Sequence, residues 1–278
     1  MKPAAFEMAR PQTVHDALAL LADNPDSKLL AGGQSLVPVM NFRLATPSLL
    51  IDLNRIPTLA SILLDRGMLR IGAMVRQSSL LESPIVAQHA PLLVKAIPNI
   101  GHVQTRSRGT IGGSLAHADP SAELPLVIVT LDATITVQNR NAQRTVSARD
   151  FFVDAMTTDL AADELLTEIA IPVASQNCRT AFREISRRHG DFAIVAVAAQ
   201  ASDDSFGAAV GGLEAVPRLC RSLSTVGARR DLSRDTLAEV VRSELADAEP
   251  LSDLHAGGEF RRHLAAVLLK DVLNEVLT

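Results

Sequence analysis

The residues with the clearest capacity for chemistry sit in two turns that combine glycines with hydroxyls. Arg106 to Pro120 carries Gly109, Gly112 and Gly113 within five positions, together with Thr110 and Ser114. Glycine lets the backbone take φ > 0 and approach a ligand with no Cβ in the way. Hydroxyls beside a run of backbone N–H groups suit a phosphate. Ala31-Gly32-Gly33-Gln34-Ser35 has the same chemistry and follows the apolar pair Leu29-Leu30. Either turn alone reads as an ordinary tight turn. Together, with hydroxyls in equivalent places, they read as two cradles that hold a diphosphate from both sides, as a dinucleotide requires. His117 reads either as a ligand or proton shuttle, or as a polar loop residue beside the second turn.

Other chemistries lack their residues. No two glycines flank a single residue and no Gly-Lys dipeptide occurs, so neither the Rossmann fingerprint nor a Walker loop is present. The seven histidines show no metal-ligand spacing, and there is no G-x-S-x-G nucleophile elbow. Cys178 and Cys220 are too few for a disulfide framework or for an iron–sulfur cluster held by this chain alone, and both read as reduced. A net charge of −4 gives no reason to expect nucleic acid. Arg229-Arg230 and Arg187-Arg188-His189 read as solvated faces or anion contacts. The N-terminal residues lack the apolar core of a signal peptide and no uncharged run reaches membrane-spanning length, which predicts a cytoplasmic location.

Positioning two turns takes strands that deliver them. Thr13-Val14-His15-Asp16 resembles a capping box and opens a helix with Leu18, Leu20 and Leu21 that stops before Pro25. Strands are expected at Lys28 to Ala31, Ser48 to Leu53, Met68 to Ala73, Ala133 to Gln138 and Glu164 to Ile171. Short helices are expected at Gln77 to Ala87 and Pro91 to Ile97, punctuated by Pro84, Pro91 and Pro98. Asp119-Pro120 reads as an N-cap with proline at the first helical position, opening a helix through about Thr130. Residues 173–181 read as a linker. Beyond it come strands at Thr180 to Ser186, Ala193 to Ala201 and Gly207 to Glu214, then helices at Ser233 to Leu245 and Glu259 to Leu277. In the last, Leu264, Val267, Leu268, Val272, Leu273 and Val276 form a stripe suited to a core or a subunit contact.

The two glycine motifs, with Ala116-His117-Ala118-Asp119-Pro120 after the second, closely resemble the FAD-binding medium subunit of molybdenum hydroxylases of carbon monoxide dehydrogenase and xanthine dehydrogenase type. The resemblance resumes at Arg183 to Ala193. It implies an α+β chain: a two-lobed FAD-binding domain of the vanillyl-alcohol-oxidase/PCMH type, then a small α+β domain with a three-stranded antiparallel sheet. The corresponding boundaries are 1–172 (lobes about 1–56 and 57–172), the linker 173–181 and 182–278. It further implies that Leu29, Leu30, Ala31, Gly32, Gly33, Gln34, Ser35 and Leu36 wrap the diphosphate from one side, the amides of Ala31 to Ser35 being the main donors. Thr110, Gly113, Ser114 and His117 approach the diphosphate or ribitol from the other side. Ile100 and Gly101 lie beside the flavin, and Leu166 near it. Glu123 replaces an aspartate that contacts the cofactor, and Arg183 replaces a lysine that reaches the ring's polar edge. Phe192 reads as packing beside the ring or in the core.

The implied function is that of an electron carrier. A large partner holds molybdenum–pterin, a small partner holds two [2Fe–2S] clusters, and the assembly is a dimer of heterotrimers. Electrons reach FAD in this chain and leave to an external acceptor. The competing readings are a non-catalytic nucleotide-binding or scaffold protein on the same fold, and a stand-alone flavin oxidase.

Overall fold

The computed structural model describes residues 1–203, 205–223 and 234–277. The first lobe contains β1 (Glu7–Ala9), α1 (Val14–Asp23), β2 (Ser27–Leu30), α2 (Leu36–Asn41) and β3 (Leu49–Asp52). Its strands form a parallel sheet in the order β1-β3-β2. Thr13 caps α1, its Oγ1 accepting from the Asp16 N–H at 3.1 Å. Ala17, Leu18 and Leu21 are buried against Ile51 and Leu53. Parallel pairing aligns Leu30 with Asp52, so the first glycine turn and the Asp52–Asn54 segment leave the same sheet edge side by side. Crevices at the carboxyl ends of parallel strands are where open α/β sheets bind ligands.

The second lobe opens with β4 (Ile62–Asp65) and β5 (Met68–Gly72), and continues through α3 (Gln77–Glu82), α4 (Pro84–His89) and α5 (Pro91–Ala96). Next come α6 (Val103–Arg108), α7 (Ile111–His117) and α8 (Glu123–Thr130), then β6 (Thr134–Gln138), β7 (Gln143–Ser147), α9 (Ala148–Phe151), β8 (Phe152–Asp154), β9 (Thr157–Thr158) and β10 (Leu165–Pro172). Five of these strands make an antiparallel sheet in the order β4-β5-β10-β6-β7.

Two expectations are corrected in this lobe. The helix expected over Gln77 to Ala87 is two helices, because Pro84 starts the second and Ser83 caps it, its Oγ accepting from the Val86 N–H. Asp119-Pro120 does not open a helix, since α8 begins at Glu123. Asp119 Oδ1 instead accepts from the Ser121 N–H at 2.8 Å in a local turn, while the Pro120 carbonyl accepts from the Gly212 N–H. The helix that does start nearby is α7, capped by Thr110, so Gly112 and Gly113 lie in its first turn.

The C-terminal part contains β11 (Arg179–Ser186), β12 (Ala193–Ala201), β13 (Phe206–Gly211), β14 (Arg218–Leu219), α10 (Arg234–Glu244) and α11 (Gly258–Leu277). The sheet is antiparallel in the order β11-β12-β13-β14, so a short fourth strand extends the three expected. The expected linker is shorter at its end, because β11 starts at Arg179. Val173 and Ala174 are fastened by N–H donation to Gly67 O and His89 O. Strand β12 is apolar except for Gln200 and is buried on both faces. Ala196 and Ala198 join the core around α8, while Val195, Val197 and Ala199 join the core beneath α11. In α11 the expected stripe is buried except for Val267, whose place is taken by Ala265 and Leu269. Ser233 and Arg229-Arg230 lie outside the described residues. Among the described residues no helix is long and apolar enough to cross a membrane.

Candidate dinucleotide site

The two glycine turns meet backbone to backbone where the lobes join. A Cβ on buried Gly32 would lie 2.3 Å from Arg108 O and 2.9 Å from Gly109 Cα, so only glycine permits this approach. Gly33 has φ +73°, the left-handed region that L side chains avoid. On the other side, a Cβ on Gly113 would meet Ala31 Cβ at 3.3 Å and Thr110 Oγ1 at 2.8 Å. The second turn is fastened to the chain after β5. Gly112 N–H donates to Ala73 O at 2.9 Å and Ile111 N–H to Val75 O at 3.1 Å.

The two turns differ in which donors they leave free. Among the described residues the N–H groups of Gly32, Gly33, Gln34, Ser35 and Leu36 have no protein acceptor. Gln34 steadies that turn by donating from Nε2 to Gly32 O at 3.2 Å. In the second turn Gly113 N–H donates to Thr110 Oγ1 and Ser114 N–H to Thr110 O, both at 3.1 Å. The first turn therefore supplies the free amides and the second supplies clearance. A groove of about 490 Å³ runs beside the first turn, lined by Leu30 to Gln34 and by Met8, Arg10, Val37, Pro38, Asp52, Asn54 and Arg108. Arg10 and Arg108 face one carboxylate there, Asp52, which lies 3.7 Å from Arg10. Successive unpaired amides, a missing Cβ and surplus positive charge fit a diphosphate.

The remaining expected residues are placed as follows. Leu29 and Leu30 end β2 half-buried, and the Ala31 carbonyl accepts from Asn54 Nδ2 at 3.0 Å. Ile100 is buried and Gly101 turns the chain at φ +46°, against Gly190 of the loop that presents Phe192. Phe192 is 68% exposed, which removes the reading of it as a core residue. Leu166 is buried within the core of the second lobe. His117 Nε2 lies 3.9 Å from Asp119 Oδ2, in the polar turn that follows α7. Arg183 pairs with Glu275 of α11 at 2.6 Å, and that carboxylate also pairs with Lys95. The structure thus ties Arg183 to the C-terminal helix and shows no bond from it to the glycine turns.

Glu123, 6% exposed, is pushed up to about 7 by burial, with Asp119's charge adding to the effect. Glu184 is pushed up to about 8, by burial and then by the charge of Glu123. Its Oε2 is buried with no hydrogen-bond partner among the described residues. Neither Glu184 nor Asn54 was singled out from sequence. Each matters through a neighbour distant in the chain, and no spacing rule records that.

The carboxyl pair makes stability pH-dependent. Both groups bind a proton more tightly folded than unfolded, so their contribution is complete below the ordinary value of 4.5 and is lost as pH rises through about 7 and 8. Glu184→Gln should flatten that loss. The variant's FAD-free chain should melt roughly 2–4 °C above the parent at alkaline pH and level with it at acidic pH, after allowance for screening at a part-exposed carboxyl. Scanning fluorimetry at both pH values checks this, and parallel pH profiles for the two proteins would contradict it.

Residues 4–174 match the family model described as the FAD binding domain in molybdopterin dehydrogenase, and residues 180–276 match the CO dehydrogenase flavoprotein C-terminal domain. The chain is 37% identical to the nicotine 6-hydroxylase medium subunit of Paenarthrobacter nicotinovorans, over 99% of this chain and 98% of that one. It is 34% identical to the carbon monoxide dehydrogenase medium chain of Hydrogenophaga pseudoflava, again over 99% and 98%. The solved structure of quinoline 2-oxidoreductase from Pseudomonas putida 86 superimposes with a TM-score of 0.95 at 35% identity, covering 100% of this chain and 98% of that one. The paired glycine turns therefore stand in a FAD-binding domain, and the chain belongs to the FAD-binding medium subunits of the molybdenum hydroxylases, of carbon monoxide and xanthine dehydrogenase type.

Proposed function

We propose that this chain is the electron-transfer subunit of a heterotrimeric molybdenum hydroxylase, taking electrons from [2Fe–2S] clusters of a small partner and delivering them to an external acceptor. A large partner with molybdenum–pterin oxidises the organic substrate, and two heterotrimers associate. The row of unpaired amides from Gly32 to Leu36, closed over by the second turn, carries the reading. Relatives named as medium subunits and medium chains support the partners.

In this reading Leu29 to Leu36 hold the diphosphate from one side, their free N–H groups donating to its oxygens. Thr110, Gly113, Ser114 and His117 close the other side, the Thr110 hydroxyl still having its hydrogen to donate. The Ile100–Gly101 corner and exposed Phe192 border the ring, while Glu123 approaches the ribose or adenine. Leu166 supports the site from the core. Arg183 acts on the ring's edge once released from Glu275. FAD supplies a carrier able to exchange electrons singly or in pairs, and the protein's part is to orient it and set its surroundings. No covalent link is involved, so acid precipitation should release all the flavin.

The test is anaerobic flavin absorbance after addition of the complex's organic substrate. The chain alone should stay oxidised, and the chain reconstituted with both partners should be bleached. Equal bleaching of the isolated chain would show that substrate is oxidised here, as in a stand-alone oxidase. Absence of bound FAD would favour the scaffold reading.

A further inference from the structure

The two glycine turns come from different lobes, so something has to fix their spacing. Asn54 follows β3 in the first lobe, and its Nδ2 donates to the Ala31 carbonyl at 3.0 Å. Arg76 follows β5 in the second lobe and donates through one nitrogen to Asn54 Oδ1 and through the other to the Arg108 carbonyl. One short chain of hydrogen bonds thus runs from the residue before Gly32 to the residue before Gly109. The Arg108 carbonyl is also the atom that a Cβ on Gly32 would strike, at 2.3 Å. The clamp therefore grips both turns at the point where they are closest.

Its surroundings support a dedicated role. Asn54 is held by its neighbour Asp52, whose Oδ1 accepts from the Asn54 backbone N–H at 3.0 Å. A backbone bridge between Arg76 and Thr110 fixes where the guanidinium starts. Arg76 is held below the usual arginine range by burial and then by the nearby charge of Arg108, with Asp52 opposing. The planar guanidinium can satisfy two acceptors at once, which an ammonium does less well. Arg76 does not line the groove, whereas Asn54 and Arg108 do.

We infer that Asn54 and Arg76 are positioning residues for the cofactor, a clamp that sets the separation of the two glycine turns to the width of a diphosphate. This rests on the reading that the diphosphate lies between those turns. With the clamp cut, each turn keeps its own glycines and amides, but the two sides no longer close on one ligand together. Apolar contacts elsewhere hold the lobes, so the fold survives and the affinity for FAD falls.

The test uses the full chain stripped of flavin, titrated with FAD while flavin fluorescence is followed, alongside the melting midpoint of the FAD-free protein. Arg76→Ala and Asn54→Ala should each raise the FAD dissociation constant roughly tenfold, the scale of a lost charge-assisted hydrogen bond. The double variant should be little worse than either single one, because each change alone opens the clamp. Arg76→Lys should recover part of the loss. A purely structural role would lower the melting midpoint yet leave the folded protein's affinity at the parent value, and that result overturns the inference. Additive losses in the double variant would also overturn it. Gly32→Ala serves as the control for the underlying reading. If it abolishes binding while the clamp variants bind as the parent does, only the clamp fails; if it too binds normally, the diphosphate is not between the turns.

Discussion

Gly32→Ala should strip the chain of FAD while leaving it folded. The added Cβ would sit 2.3 Å from Arg108 O and 2.9 Å from the Arg108 carbonyl carbon and Gly109 Cα, all of them backbone atoms that no rotamer change can move. Restoring ordinary contact parts the two turns by roughly 1 Å, and overpacking of this kind costs about 1–3 kcal/mol. Donors displaced from the diphosphate add to that. A total of about 2–4 kcal/mol corresponds to a roughly 30- to 1000-fold weaker FAD affinity. Among the described residues the hydrophobic clusters do not include this contact, so folding should persist. Flavin per chain after purification, with circular dichroism as the folding control, measures both. Full flavin content in folded protein would sink the close-approach argument.

Gly33→Val should act on the same turn by a different route. With φ at +73°, a β-branched residue is strained wherever its side chain goes, and the new Cβ would press on Val37 Cγ2 at 3.2 Å and Leu30 Cδ1 at 3.3 Å. Backbone strain of this type costs about 1–3 kcal/mol. The turn relieves it by rotating the peptide planes on either side of residue 33, which swings the free amides away from a common focus. FAD affinity should fall roughly 30-fold, near 2 kcal/mol, with slower loss at Gly33→Asn, since asparagine tolerates the left-handed region. A valine variant as tight as the parent would show that these amides do not hold the cofactor.

The two glycine turns were legible because their demands are local. Close backbone approach needs glycine, and glycine beside hydroxyls is visible in the sequence. The alternation of Met68–Gly72 and the near-continuous apolar run of Ala193–Ala201 were equally plain. What escaped was set by contacts between distant segments. Strand Gln143–Ser147 is a largely exposed, polar edge whose only claim to be a strand is its pairing with Thr134–Gln138. Helix α7 contains two glycines in its first turn, poor helix formers that read as a loop. It forms because Thr110 caps it and because only glycine at 112 fits against Ala73. Asn54 and Arg76 stand 22 positions apart and belong to different lobes, so nothing in their spacing marks them as a pair. Arg183 carries a partner of the same distant kind, since the structure pairs its guanidinium with Glu275, 92 positions along the chain.

The proposal that this chain relays electrons has one direct test, which needs no knowledge of the organic substrate. The small [2Fe–2S] partner is reduced, freed of excess reductant and mixed anaerobically with the oxidised, FAD-loaded chain in a stopped-flow spectrometer. The account predicts that the visible flavin band bleaches as the cluster bands of the small subunit return, and that the Gly32→Ala chain, without FAD, leaves the clusters reduced. A docked pair in which the clusters stay reduced and the flavin stays oxidised would contradict it.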